Sequence, residues 1–95
     1  MPSAPDPRTA RSEVSDPRVV VLGREGCHLC EVVVEIVARV AGELEVGWAE
    51  RSIVTDPDLL ARYRELIPVV LVDGVELSHW RVDESALREA LAARS

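Results

Sequence analysis

Cys27 and Cys30 are the only cysteines of a 95-residue chain, and they stand three positions apart as Cys27-His28-Leu29-Cys30. Residues at that spacing share a helical face, so in a helix Cys30 reaches the sulfur of Cys27 without backbone rearrangement. The unpaired N–H groups and positive dipole end of a helix N-terminus favour an anion. A thiolate held there has a lowered pKa, and the thiolate is the nucleophile. The chemistry implied is a two-step exchange. Cys27, expected to be the more exposed, attacks a disulfide, and Cys30 then resolves the mixed disulfide and leaves an internal bridge. An external thiol must restore the dithiol. Arg24, three residues upstream, adds positive charge, and His28 inside the motif can stabilise the thiolate; both are candidate substrate-binding residues.

Other readings of the pair remain open. Free cysteine also packs as a small hydrophobe, although here both cysteines fall in one motif at a strand-to-helix junction. Cys27, His28, Cys30 and His79 nominally supply four zinc ligands. Yet His28 projects roughly a third of a turn away from each cysteine, and His79 belongs to a much later strand. Zinc sites usually pair two short-spaced couples, and this chain has one, so no metal ligand is assigned. A cluster bridged by Cys27 from each of two protomers is a further alternative.

The elements that must position the pair follow from hydrophobic periodicity. Val19-Val20-Val21-Leu22 is a continuous run, the pattern of a strand covered on both faces. After the loop Gly23 to Gly26, Leu29, Val32, Val33, Ile36, Val37, Val40 and Ala41 recur at three- and four-residue spacing and mark one helical face. Valine is a poor helix former, so packing must hold this helix, with Gly42 as its expected C-cap. Leu44 to Trp48 alternates like a strand. Asp56-Pro57 reads as an N-cap followed by proline at the first helical position, opening a short helix to about Glu65 that Pro68 stops. Val69 to Val72, Asp73-Gly74 and Val75 to Trp80 read as a hairpin with a two-residue turn. Asp83 can cap a last helix whose inner face is Ala86, Leu87, Ala90 and Leu91. The order is β-α-β-α-β-β-α. Strands that bracket a helical crossover run parallel if they pair, and the hairpin strands run antiparallel. The fold class is α/β, a four-stranded mixed sheet flanked by three helices.

Composition bounds the rest. Ninety-five residues allow one domain, read as residues 18–95 behind a proline-rich tail, 1–17, that has little to bury and is expected to be disordered. Every basic residue is Arg, and the abundant Ala and Val suggest a GC-rich bacterial genome. A net charge of −6 without basic clusters counts against nucleic acid. No segment nears the roughly 18 apolar residues of a membrane span, so no membrane partner is expected. The first 17 residues hold no signal-peptide-like apolar run, which makes a reducing cytoplasm the expected location. A permanent structural disulfide does not belong there.

The order strand, Gly-Cys-x-x-Cys, helix, strand, then a lone proline before a hairpin resembles the thioredoxin superfamily, and within it the small bacterial glutaredoxin-like domains. Arg24 to Cys30, Ile67-Pro68-Val69-Val70, Val72-Asp73-Gly74 and Trp80 to Glu84 carry the resemblance, which covers Arg18 to about Ala93. It implies sheet order 2-1-3-4, with the first and third helices on one face and the second on the other. It also implies a cis bond before Pro68, a proline facing the cysteine pair, and Ile67 and Pro68 as substrate-binding residues that pair with an extended substrate strand. Glutathione-using members carry a Gly-Gly pair after the hairpin. This chain has Ser78-His79-Trp80-Arg81 instead, which counts against specific glutathione binding and against cluster assembly. Nor does a Trp precede Cys27, or Gly-Pro separate the cysteines, as in thioredoxins.

The function expected is a thiol–disulfide oxidoreductase acting on protein or small-molecule disulfides. It is expected to be a monomer with no bound cofactor, served by a low-molecular-weight thiol or a reductase system. The alternatives are a non-catalytic redox-sensing or binding module on the same fold, and a metal or iron–sulfur carrier.

Overall fold

A computed structural model describes residues 17–93. The expected tail lies outside the described residues except for Pro17. The elements are β1 (Val19–Gly23), α1 (His28–Leu44), β2 (Trp48–Ser52), α2 (Pro57–Tyr63), β3 (Val69–Val72), β4 (Val75–His79) and α3 (Glu84–Ala93). One sheet holds all four strands in the order β2-β1-β3-β4. β1 runs parallel to β2 and antiparallel to β3, and β3 runs antiparallel to β4. This is the topology expected above.

Alternation along the central strands builds two cores. Side chains on a strand point to opposite faces in turn. Val19, Val21, Val70 and Val72 therefore meet Val33, Val37 and Val40 of α1 and Leu87 and Leu91 of α3. The other face carries Leu22 and Val69, which pack on Ile53 and on Tyr63 of α2. The first and third helices thus cover one face and the second covers the other. The valines that weaken α1 as an isolated helix are the residues that anchor it to β1.

Two boundaries and one helix face differ from the sequence reading. Gly42 is not the C-cap: α1 continues to Leu44 and closes at Glu45, whose φ of 56° is left-handed. The Val46 N–H donates to the Ala41 carbonyl at 2.9 Å, a Schellman-type closure, and Val46 packs on the core. That tertiary anchor overrides the local stop signal of a glycine. β2 starts at Trp48 rather than ending there. Its register is set by pairing with β1, Val19 against Trp48 through Gly23 against Ser52. As an edge strand with only Ala49 buried, it carries no apolar alternation to read. Leu29 and Val32, assigned to the inner face of α1, are instead 56 % and 43 % exposed; they lie in its first two turns, and the ion pairs that join α1 to α3 start at Arg39.

The hairpin turn holds Asp73 at φ 52° and Gly74 at φ 85°, the pair of positive angles a type I′ turn requires. Arg18 fixes it from outside, donating Nε to Asp73 Oδ1 at 3.1 Å and Nη2 to Oδ2 at 3.0 Å. β4 carries an irregularity: Val70 pairs with Ser78 but Leu71 pairs with Glu76. A bulge flips the side-chain phase, so Glu76 and His79 meet, with Nδ1 3.1 Å from Oε2. Strict alternation would put His79 on the face of Val75 and Leu77; the bulge moves it to the face of Glu76.

α1 and α3 are also joined by an exposed ionic network. Arg39 donates to both Glu84 oxygens, at 2.7 and 3.1 Å, while Arg88 donates to Glu84 and Glu43. These hydrogen bonds, from Arg39 first and then Arg88, pull the Glu84 carboxyl down to about 2. A carboxyl lowered in the folded state stabilises fully above its unfolded value of about 4.3, and that contribution is lost as pH falls toward 2. Glu84→Gln should therefore lower the urea midpoint at pH 7, and its gap from the parent chain should close between about pH 4.5 and 2. Added salt should narrow the gap at pH 7. A gap independent of pH would show that the network does not act through charge.

Candidate active site

β1 ends at Gly23, and the chain must turn within three residues to start α1. Gly26 supplies the turn with φ 79°, open to an achiral residue at little cost. The Cys27 N–H donates to the Arg24 carbonyl at 3.4 Å, and the Glu31 N–H donates to the Cys27 carbonyl at 3.2 Å. Cys27 is thus the N-cap of α1, with extended backbone (φ −89°, ψ 106°), and its Sγ accepts the Cys30 N–H at 3.1 Å. A sulfur here takes the place that a Ser or Asp oxygen fills at most helix starts.

The two cysteines are joined as a disulfide with Cα atoms 5.2 Å apart. Cys27 is half-buried, whereas Cys30 is 1 % exposed. The buried sulfur rests on Gly23: a Cβ there would lie 2.9 Å from Cys30 Sγ and 3.1 Å from Cys30 Cβ. Gly23 is therefore a site residue that the sequence reading passed over as loop. Its signal was a glycine directly closing a run of buried β-branched residues.

The remaining expected residues fall at the same end of the molecule to different degrees. Arg24 is exposed and lines a cleft of about 450 Å³ with Cys30, Glu31, Glu50 and Arg51. His28 is the first helical residue and is exposed. The Ile67–Pro68 bond is cis. Leu22 pairs with Val69, so Pro68 continues the register beside Gly23, the residue under Cys30. Among the described residues, no hydrogen bond engages the backbone of Ile67. His79 is held by Glu76 instead of joining the cysteines, and among the described residues no group of three His, Cys, Asp or Glu side chains could hold a metal.

Trp80 is 54 % exposed. Its backbone has φ 69°, a conformation that costs a residue with a Cβ about 1–2 kcal/mol. Two bonds hold it there. Its N–H donates to the Pro68 carbonyl at 2.7 Å, and its indole N–H donates to the Glu65 carbonyl at 3.0 Å.

A Cys-x-x-Cys bridge at the N-cap of the helix that follows β1, in a sheet of order 2-1-3-4, defines a thioredoxin-superfamily domain. Within that class the chain belongs to the glutaredoxin-like domain family (DUF836), whose model matches residues 18–92. An uncharacterised protein of Mycobacterium tuberculosis is 40 % identical over 86 residues, 83 % of this chain and 87 % of that protein. The crystal structure of protein XcR50 from X. campestris matches with TM-score 0.65 and 30 % identity, over 79 % of this chain and 96 % of that one. A Fasciola hepatica thioredoxin matches with TM-score 0.56 and 26 % identity, over 81 % of this chain and 79 % of that one. Family and bonded cysteine pair together support a redox role.

The packing at Gly23 gives a direct test. Gly23→Ala must displace Cys30 or the first turn of α1, and overpacking of this kind costs about 1–3 kcal/mol. Gly42 is helical, and a methyl group added to it would meet open space, so Gly42→Ala should gain about 0.5–1 kcal/mol. Urea unfolding of the oxidised proteins should separate the two in opposite directions. Equal midpoints would refute the contact.

Proposed function

We propose that the chain is a thiol–disulfide oxidoreductase that reduces disulfides of proteins or small molecules through Cys27 and Cys30. The observation that carries this reading is the Cys30 N–H aimed at Cys27 Sγ, 3.1 Å away, at the positive end of a 17-residue helix. In the reduced protein the same donor and dipole favour a negative sulfur.

The reaction runs in two exchanges. The Cys27 thiolate attacks one sulfur of the substrate disulfide; a bond forms between them, the substrate S–S bond breaks, and the departing thiolate takes a proton. Cys30 then loses its proton, and its thiolate attacks Cys27 Sγ. The mixed disulfide breaks, the second substrate thiol leaves, and the bridge between Cys27 and Cys30 forms. Two electrons have passed from the dithiol to the substrate. An external thiol or dithiol, in a reducing compartment such as the cytoplasm, returns them. Cys30 needs no travel, since its Cα stands 5.2 Å from that of Cys27.

The other residues act by position. The unpaired backbone of Ile67, beside cis Pro68, offers an edge to an extended substrate strand. Arg24 and His28, both exposed beside the pair, contribute positive charge or a hydrogen bond to the incoming group. No resident cofactor takes part in either exchange.

Reduced protein should react with iodoacetamide at pH 7 at Cys27 first, with a titration midpoint at least about one unit below the roughly 8.5 of a free thiol. Cys27→Ser should abolish reduction of a peptide disulfide. Cys30→Ser should halt at a mixed disulfide visible by mass spectrometry. A Cys27 that titrates near 8.5, together with no turnover, would leave a binding module in place of an enzyme.

A further inference from the structure

Residues paired across neighbouring strands point to the same face of a sheet, and alternate residues along a strand return to it. Leu22 faces α2. Val20, two residues before it, and Leu71, the partner of Val20 on β3, therefore face the same way. So does Arg51, the partner of Leu22 on β2. α2 has only seven residues, and the core on this face gathers near the Gly23 end, at Leu22, Ile53, Tyr63 and Val69. Further down, Val20 and Leu71 stay half-buried although β1 and β3 are the two central strands. The space left there is a cavity of about 550 Å³. Val20, Leu22 and Leu71 form its floor, Leu59 of α2 one wall, and the Arg18–Asp73 pair with Gly74 another. Arg51 stands at its rim, on the edge strand.

Charge decides what such a space receives. Arg18 is matched by Asp73. Among the described residues, no side-chain hydrogen bond or ion pair engages Arg51, which is exposed. The cavity thus carries one uncompensated positive charge on a chain whose net charge is −6. A second apolar opening, about 250 Å³ between β4 and α3, is lined by Val72, Val75, Leu77 and Ala90 but also by Glu76, which repels an anion. The larger cavity falls within the roughly 300–1,000 Å³ of small-molecule sites. From Leu71 across β1 to Arg51 is two strand spacings, about 10 Å.

We propose that this cavity binds a single-chain amphipathic carboxylate of the medium-chain fatty acid class, with its carboxylate on the Arg51 guanidinium and its alkyl chain across Val20 to Leu71. A guanidinium presents two parallel N–H donors that match the two oxygens of a carboxylate. The chain covers apolar side chains that the short α2 leaves open, and each methylene taken from water adds to the affinity. No covalent bond is made or broken. Arg18 and Gly74 mark the end of the sheet away from Cys27, so binding is independent of whether the cysteine pair turns over a substrate.

The probe is decanoate, added to the full oxidised chain at neutral pH below its micelle concentration and followed by methyl NMR. The Val20, Leu59 and Leu71 methyl resonances should shift together and saturate. Those of Leu29 and Val75, 56 % and 66 % exposed outside the cavity, should stay in place. Octanoate, with two fewer methylenes to bury, should bind about tenfold more weakly. Decyltrimethylammonium should leave the cavity methyls unmoved. Arg51→Gln should weaken decanoate binding at least about fivefold and leave the urea midpoint unchanged, since Arg51 is exposed and has no ion pair to lose. Equal affinity of the Arg51→Gln chain, or shifts spread over every exposed apolar residue as in detergent-like association, would overturn the proposal. Cavity methyls that move with protein concentration alone would seat a second copy there. A Val14 contact to Leu71 in the ligand-free chain would seat the chain's own first residues. Either outcome overturns the proposal, and so does a response to phosphatidylglycerol vesicles in place of the free acid, which would assign the acyl group to a membrane.

Discussion

The Sγ of Cys30 occupies the space that a side chain on Gly23 would need. That contact joins the last residue of the central strand to the first turn of the longest helix, and it does so without any polar bond. Because the sulfur can descend onto bare backbone, α1 starts close to the sheet, and Cys27 is left at the rim as the N-cap. The Ile53 N–H donates to the Gly23 carbonyl at 2.9 Å, so the same residue is tied to the chain beyond β2. On its other side the register continues to Pro68. One residue without a side chain thereby sets the spacing between the cysteine pair, the end of β2 and the cis-proline segment.

The rest of the molecule holds that junction steady from a distance. β1 is buried on both faces, so a shift along it would disturb two cores at once. The ionic network of Arg39, Glu43, Glu84 and Arg88 lies three turns down α1 from the cysteines. It ties the start of α3 to α1. Burial fixes the position of α1, and charge fixes its neighbour.

How much of this was legible in the residues depends on where the deciding forces lie. β1 could be read because a strand covered on both faces must be apolar throughout. The hairpin could be read because Asp73-Gly74 suits two positive φ angles. The cysteine pair could be read because its chemistry needs only the three-residue spacing and a helix start. β2 could not: an edge strand shows a single buried residue, Ala49, and of the alternating Leu44, Val46 and Trp48 the first two belong to the end of α1 and its closure. The bulge in β4 leaves no local mark, so the phase of His79 came out reversed. Gly23 is an ordinary loop glycine until Cys30 is known to lie above it. Sheet order came from resemblance, since pairing between distant strands is a tertiary choice.

Three residues other than glycine hold positive φ among those described: Glu45, Asp73 and Trp80. The first two are explained by the fold alone. Glu45 closes α1, and its N–H reaches the carbonyls of Ala41 and Gly42. Asp73 makes the turn that its residue type favours and holds Arg18. Trp80 closes no helix, and β4 has already ended at His79. A glycine would meet the backbone requirement at lower cost and would still donate its N–H to Pro68. What glycine would lack is the indole bond to Glu65 and the exposed ring. The indole bond ties the end of β4 to the turn that follows α2, and with the N–H bond to Pro68 it holds the segment of Ile67 between two fixed carbonyls, which is where the strain at Trp80 is offset.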